Sequence, residues 1–408
     1  MVIYELKKVL FKNSSKAALI FLGAVLIFVI HMAVSGIRYV DDEGITHTGI
    51  WAAQQLREVK APWEGPLTAQ RLAQVIETNQ KENATPEALS EDISQQNISY
   101  SRKQGYSDIL TLMSDIFGSF DTFDYFVSDG LTVEDADDFY TQRVERLRQW
   151  LDGPAGDKYT QKEKEYFIRQ FEAVKEPLYY EAADGWDQLF YLFPSLISVA
   201  ALVMGFLVSG IFSCEKQWKT DTIFFSSFQG RRLGPGSKLA AGMLLITGIY
   251  TAVMALYTAA VLGLAGAGGA GTMIQVQFFG SDSFYNMTVW QEYIAIFMGG
   301  LLGSLFFGLF AMLISAGTGS PVLAVTIPFI FMLLPNFLAN MDLTFLDKFL
   351  NLLPNQLLEV YRVISGDSLY ELAGHVFGAL PLLFLIYGCL CLGLIPVICL
   401  IYRRTVVQ

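Results

Sequence analysis

The sequence predicts an all-α polytopic membrane protein with six transmembrane helices and a large α-helical extracytoplasmic domain between the first and second. Three observations predict it. Of 408 residues, 53% are hydrophobic and only 16% charged, and a mean hydropathy of +0.40 is too apolar for an ordinary soluble chain. Six apolar runs, at 17–37, 189–212, 239–264, 293–314, 322–338 and 378–401, approach the ~20 residues that cross a ~30 Å hydrocarbon core. Residues 38–188 contain no such run and carry 29 acidic against 15 basic residues, the composition of a water-exposed domain.

Residues 1–16 place Ile3, Leu6, Val9 and Leu10 at helical spacing, with Lys7, Lys8 and Lys12 toward the other face. This reads as an interfacial helix on the inner leaflet, or as an ordinary basic flank. The first span follows at 17–37. Its Ala33-Val34-Ser35 resembles a signal-cleavage site, but the apolar run is longer than a secretory signal's core and is expected to stay. His31 within it is expected to face another helix at a satisfied polar contact.

Within 38–188, helix starts are signalled at Thr68, at Thr85-Pro86, at Thr132 with Asp135 three residues on, and at Thr160 with Glu163. Phe139, Val144, Leu147 and Leu151 form one apolar face, and Tyr166, Phe167 and Phe171 another, so a bundle of about five helices is expected. After the second span, 189–212, the segment 213–238 is amphipathic. It is expected to turn at Gly230-Arg231-Arg232 and break at Gly234-Pro235-Gly236 before the next span. Residues 239–401 supply spans three to six. Between the last two, 343–366 holds two short amphipathic helices split by Pro354-Asn355, either on the outer surface or re-entrant. Residues 402–408 form a tail.

Orientation follows from Lys and Arg, which cytoplasmic segments hold in excess. With the N-terminus inside, 1–16, 213–238 and 402–408 carry eleven basic and three acidic residues, a balance of +8. The remainder is then −19, to reach the −11 of the chain, and the acidic surface lies outside. Nucleic acid is not an expected partner of that face. Cys214, Cys389, Cys391 and Cys399 lie in or beside spans, and a disulfide framework is absent from the outer domain, which fits a bacterial plasma membrane. Both termini are expected in the cytoplasm.

Machinery for catalysis is missing. His31, His47 and His375 have no metal-ligand spacing, and the acidic clusters at 41–43 and 134–138 lack a calcium-loop pattern. Gly230 to Lys238 does not satisfy the G-x-x-x-x-G-K-[ST] phosphate loop. The chain therefore reads as a non-enzyme with no cofactor of its own, driven by an ion gradient or a separate ATPase. Ion coupling calls for buried carboxylates within spans, which are nearly absent.

The opening Tyr4-Glu5-Leu6-Lys7-Lys8-Val9-Leu10-Phe11, the 212–232 segment with Glu215, Thr220-Asp221 and Gly230-Arg231-Arg232, then Lys238, Leu352-Leu353-Pro354-Asn355-Gln356 and the closing Tyr402-Arg403-Arg404 are distinctive together. In order and spacing they resemble the membrane subunit of ATP-binding-cassette exporters of the ABC-2 permease class, Gram-positive type. The resemblance covers most of the chain outside 38–188.

It implies that 213–238 is a coupling segment docking on an ATPase, with that role falling on Glu215, Lys216, Asp221, Thr222, Phe225, Gly230, Arg231 and Arg232. It further implies two cytosolic ATPase subunits that hold ATP and Mg, a second permease as homodimer or sister-permease heterodimer, and contact with membrane lipid. The expected cargo is a peptide, antimicrobial or other amphipathic molecule. The ~150-residue outer domain departs from many members and leaves the substrate open. The alternative reading is a receptor-like sensor whose outer domain binds a ligand and whose cytoplasmic segment recruits a signalling partner.

Overall fold

The computed structural model describes residues 1–220, 226, 228–338 and 344–404, with only the backbone described at 228, 229, 231, 336–338 and 344–346. The chain is mostly helical, with three short two-stranded antiparallel sheets among the described residues. Five helices are long and apolar enough to cross a membrane: α2 (Asn13–Ser35), α9 (Asp184–Ser209), the Arg232–Ala265 part of α11, α12 (Val289–Thr318) and α16 (Ala379–Arg404). This is the architecture of a multi-pass membrane protein. The remaining apolar run folds as α13 (Pro321–Leu338), 18 residues interrupted by Pro328 and Pro335 and about 27 Å long at 1.5 Å per residue. His31 faces outward and meets Ser35 of its own helix at 3.4 Å, so the expected interhelical contact is not made among the described residues.

The helix leading into the third span differs from expectation. Residues Phe228–Ala265 form one 38-residue helix, α11, that runs through both the expected Gly-Arg-Arg turn and the Gly-Pro-Gly break. Proline costs a helix interior about 3 kcal/mol by losing an N–H and crowding the carbonyl four residues back. Here Gly234, Pro235 and Lys238 are all buried, and α11 packs closely on α1 (Val2–Leu10). Tertiary burial overrides the local signal.

The block between α2 and α9 folds as six α-helices: α3 (Ile50–Lys60), α4 (Ala69–Asn83), α5 (Ile93–Lys103), α6 (Ser107–Phe117), α7 (Asp135–Asp152) and α8 (Gln161–Glu172). Thr68 caps α4 by accepting from the Arg71 N–H, and Thr160 and Glu163 close a reciprocal capping box on α8. Thr85-Pro86 starts only a turn: Leu89 is 73% exposed, so the segment has no apolar face to bury and nothing offsets the cost of nucleating a helix. Strands β1 (Arg38–Val40) and β2 (Thr46–Thr48) pair at the entrance, and β3 (Gly65–Pro66) pairs with β4 (Tyr179–Tyr180) near the exit.

The domain is built into the bundle. Its two cores draw Val276 and Phe284 from the 266–288 loop and Leu369 from the loop before α16. Arg146 pairs with both Asp115 and Asp282, and Glu163 with Lys348 at 2.9 Å. Buried Lys60 bridges Asp108 of the domain and Asp184 at the start of α9, 2.7 Å from each. Its pKa is held above the ordinary lysine value, because the two carboxylates outweigh the burial that disfavours the ammonium.

Between α13 and α16, α14 (Thr344–Leu350), a 3₁₀ turn at Pro354–Leu358 and α15 (Val360–Ser365) replace the two expected helices. Leu357, Leu358, Val360 and Ile364 are buried in the main core of the bundle rather than laid on a surface. Gly299 and Gly303 of α12 make room: a Cβ on them would come 2.4 Å from Val360 Cγ2 and 2.8 Å from Leu358 Cδ2. At the break, the Tyr387 hydroxyl donates to the Leu352 carbonyl at 2.9 Å, which satisfies a backbone group freed by the interruption.

Candidate functional site

At the end of the bundle opposite the domain, four ionised side chains from three helices close into a neutral knot. Glu5 and Lys8 come from α1, where their three-residue separation puts them on one face. Glu215 comes from α10 (Cys214–Gln217), just after the second span, and Lys238 from α11. Lys238 is fully buried and offers its ammonium to three oxygens: Glu215 Oε1 at 2.6 Å, the Ile211 carbonyl at 2.7 Å and Glu5 Oε2 at 3.3 Å. The Cys214 sulfur is a further, longer contact of the same ammonium at 3.7 Å.

Glu215 is the hub. Its Oε1 also accepts from Lys8 at 3.4 Å, while Oε2 accepts from the Cys214 thiol at 3.1 Å and the Tyr402 hydroxyl at 3.4 Å. Four donors thus converge on two oxygens, about the capacity of an ionised carboxylate. Glu5 Oε1 completes the circuit by accepting from Lys8 at 3.0 Å. Burial by itself pushes the Glu215 carboxyl up, but the Lys238 ammonium beside it, the thiol and Lys8 together hold it below the ordinary value. For Lys8, burial lowers the pKa and the two glutamates more than restore it, leaving it raised. Burial pushes the Cys214 thiol up to about 11, with Lys238 opposing and Glu215 adding to the shift, so the sulfur stays protonated near neutral pH.

The knot joins elements distant in sequence. Through it α1, the chain leaving the second span, the start of α11 and the end of α16 are tied at one place. Around it, Phe212 packs edge-on against Tyr402, Lys12 stands over the Trp218 ring, and Arg403 donates to the Arg232 carbonyl at 3.4 Å. Lys216 is exposed, and its stem lies against Gly319, which ends α12 in a left-handed conformation with φ 68°.

Of the residues carrying the expected coupling role, Glu215 is 3% exposed and faces inward, Gly230 is buried, and Lys216 and Arg232 are exposed. Asp221, Thr222 and Phe225 lie outside the described residues, as does the side chain of Arg231. Glu5, Lys8, Lys238 and Tyr402 belong to the same site; the resemblance implies that the N-terminal helix is a second contact of the ATPase and that 213–238, which ends at Lys238, is the coupling segment, but it singles out none of these four side chains. The signal available was charge next to apolar runs: Lys238 abuts a span, where an unpaired ammonium is costly and a carboxylate partner must be sought. Among the described residues, no group of three or more His, Cys, Asp or Glu is arranged to hold a metal. Comparison with protein-family models, with curated proteins and with solved structures returns no match.

Proposed function

We propose that the protein is the membrane-spanning permease subunit of an ATP-binding-cassette exporter, taking its energy from a separate ATPase that binds ATP and Mg. In this reading α13 is a sixth crossing, both termini and the 213–238 segment are cytoplasmic, and the 38–188 domain is outside. The excess of Lys and Arg at the knot's end of the bundle supports that orientation. The cargo is a peptide, antimicrobial or other amphipathic molecule.

The observation that carries the reading is the knot. A coupling segment must pass displacement from a cytosolic partner to several spans at once, and a closed ionic cluster joining α1, α10, α11 and α16 is a stiff linkage of that kind. Glu215 then acts as a positioning residue inside the linkage. Direct contact with the ATPase falls to exposed neighbours, Lys216 and Arg232 foremost, together with α1.

The test is affinity purification of the detergent-solubilised full-length chain from its own host, with and without ATP. The expected result is recovery of a protein carrying G-x-x-x-x-G-K-[ST], lost in Lys216→Glu and Arg232→Glu. Recovery of a kinase and no such ATPase would favour the sensor alternative and overturn the exporter reading.

A further inference from the structure

An exposed aromatic surface lies where the 38–188 domain meets the 266–288 loop. Phe123 anchors it, packing edge-on against Tyr125 at 4.5 Å and against Phe278 at 4.9 Å between ring centroids, and Phe278 in turn meets Phe279 at 5.0 Å. Folding has not hidden these rings: Tyr125 is 66% exposed, its neighbour Phe126 77%, Phe278 41% and Phe279 50%. Single exposed apolar residues are ordinary, but a run of touching rings drawn from two segments distant in sequence marks a surface that something covers. The patch is also continuous with the bundle, because Phe279 stands 6.0 Å from Tyr361, and Tyr361 5.6 Å from the fully buried Phe190 of α9.

Charge selects the occupant. Neither 118–132 nor 273–288, the two segments that build the patch, contains a Lys or an Arg. Asp121 and Asp124, on either side of Phe123 in the chain, are exposed and form no ion pair among the described residues. Their hydrogen bonds come from neutral donors, the Trp150 indole at 2.5 Å and the Phe126 N–H at 2.9 Å. Arg146, which reaches the same segments, is already paired with Asp115 and Asp282. A second copy of this surface, or a leaflet rich in anionic lipid, would bring like charge against the two free carboxylates. A cation meets opposite charge there and the negative faces of exposed rings as well.

We propose that this patch docks a basic peptide segment that alternates cationic with aromatic or aliphatic side chains. The proposal rests on the export reading only in calling that peptide the cargo, whose charge class and docking surface it names; binding itself needs no ATPase. The full-length chain in phosphatidylcholine nanodiscs is titrated calorimetrically with Lys-Phe-Lys-Phe amide. Glu-Phe-Glu-Phe and Lys-Ser-Lys-Ser amides are the charge and apolar controls, and empty nanodiscs the blank. The expected result is saturable binding at least tenfold tighter than of either control, weakened fivefold or more by Tyr125→Ser and by Asp124→Asn. Asparagine still caps the Phe126 N–H and the Tyr125 ring is mostly exposed, so both variants are expected to melt with the wild type. Equal binding of the three peptides, or an affinity for the first unchanged in both variants, would overturn the proposal. Quenching by brominated phosphatidylcholine of the emission added in Phe126→Trp would overturn it in favour of the lipid leaflet, and a detergent-solubilised dimer that dissociates in Tyr125→Ser in favour of a second copy. Since the titration uses the chain alone, its failure leaves any ATPase recovery standing, and failure to recover an ATPase leaves the binding result standing.

Discussion

The ammonium of Lys238 lies 2.6 Å from Glu215 Oε1 with the lysine wholly shielded, so removing either charge leaves the other without its nearest counter-charge in a buried setting. Deleting one member of a buried pair costs about 3–5 kcal/mol, most of it the desolvated partner left behind. Lys238→Met is expected to lower stability by that amount in an SDS-unfolding titration. The double variant Lys238→Met/Glu215→Gln should recover at least 1 kcal/mol of the summed single losses, roughly the coupling of groups in one network. Strict additivity would mean that the two residues do not act as a unit.

Cys214 reports on the integrity of the knot. With burial pushing its pKa up to about 11, the thiol is protonated at pH 7, and the sulfur is buried. Maleimide labelling of Cys214 in the wild-type chain is therefore expected to be negligible over minutes. Glu215→Gln removes a negative neighbour that raises the pKa and one acceptor of the S–H, so labelling should accelerate at least tenfold by peptide mass spectrometry. Equal rates would show that Glu215 neither holds nor shields the thiol.

The same carboxylate sets an acid limit. Its folded pKa lies below the ordinary value of 4.5, so the unfolded chain binds its proton more readily. The stabilisation is then fully present above about pH 4.5 and is lost as pH falls through the folded pKa. The stability difference between wild type and Glu215→Gln should be flat from pH 8 to pH 5 and shrink below pH 4.5. A difference that grows on acidification would contradict this sign.

How far the sequence foretold this arrangement depended on the range of the interaction. Apolar runs are local, so α2, α9, α12 and α16 fall close to their expected bounds, and the Thr160 capping box, spanning three residues, was readable directly. The knot was not, because Glu5 and Lys238 are 233 residues apart and nothing in either neighbourhood names the other. Gly234-Pro235-Gly236 misled for a related reason: its turn chemistry is intrinsic, while the packing that overrides it comes from α1. The reliance of the 38–188 domain on Val276, Phe284 and Leu369 was hidden likewise, since each sits in a segment that reads locally as a loop.

Two glycines of the same helix make opposite predictions. A Cβ on Gly185 would lie 2.1 Å from the Gly266 carbonyl oxygen, and backbone cannot swing aside as a side chain can. Gly185→Ala should therefore destabilise by about 1–3 kcal/mol and loosen the junction of α9 with the end of α11. Gly205 has no atom within 4 Å of its Cβ position. Gly205→Ala should be neutral or gain about 0.5–1 kcal/mol from helix propensity. Thermal unfolding of the two single variants separates them, and a loss at Gly205 equal to that at Gly185 would sink the close-approach argument.

The hairpin that feeds α16 offers a gain of stability away from both sites. Strands β5 (Leu369–Leu372) and β6 (His375–Gly378) are joined by Ala373-Gly374, both with positive φ, 50° and 83°. That is the backbone of a two-residue type I′ turn, whose first position favours asparagine because an L-residue with a Cβ pays sterically in the left-handed region unless its side chain bonds locally. Leu369 is fully buried in a core of the 38–188 domain, so a firmer turn stabilises the domain's contact with the bundle as well as the hairpin. Ala373→Asn is expected to add about 0.5–1 kcal/mol, in line with relief of a strained left-handed residue, and to slow proteolysis in the 366–378 loop. Ala373→Val, with branching at Cβ, should do the reverse, and a pair of variants that both destabilise would argue against a type I′ turn.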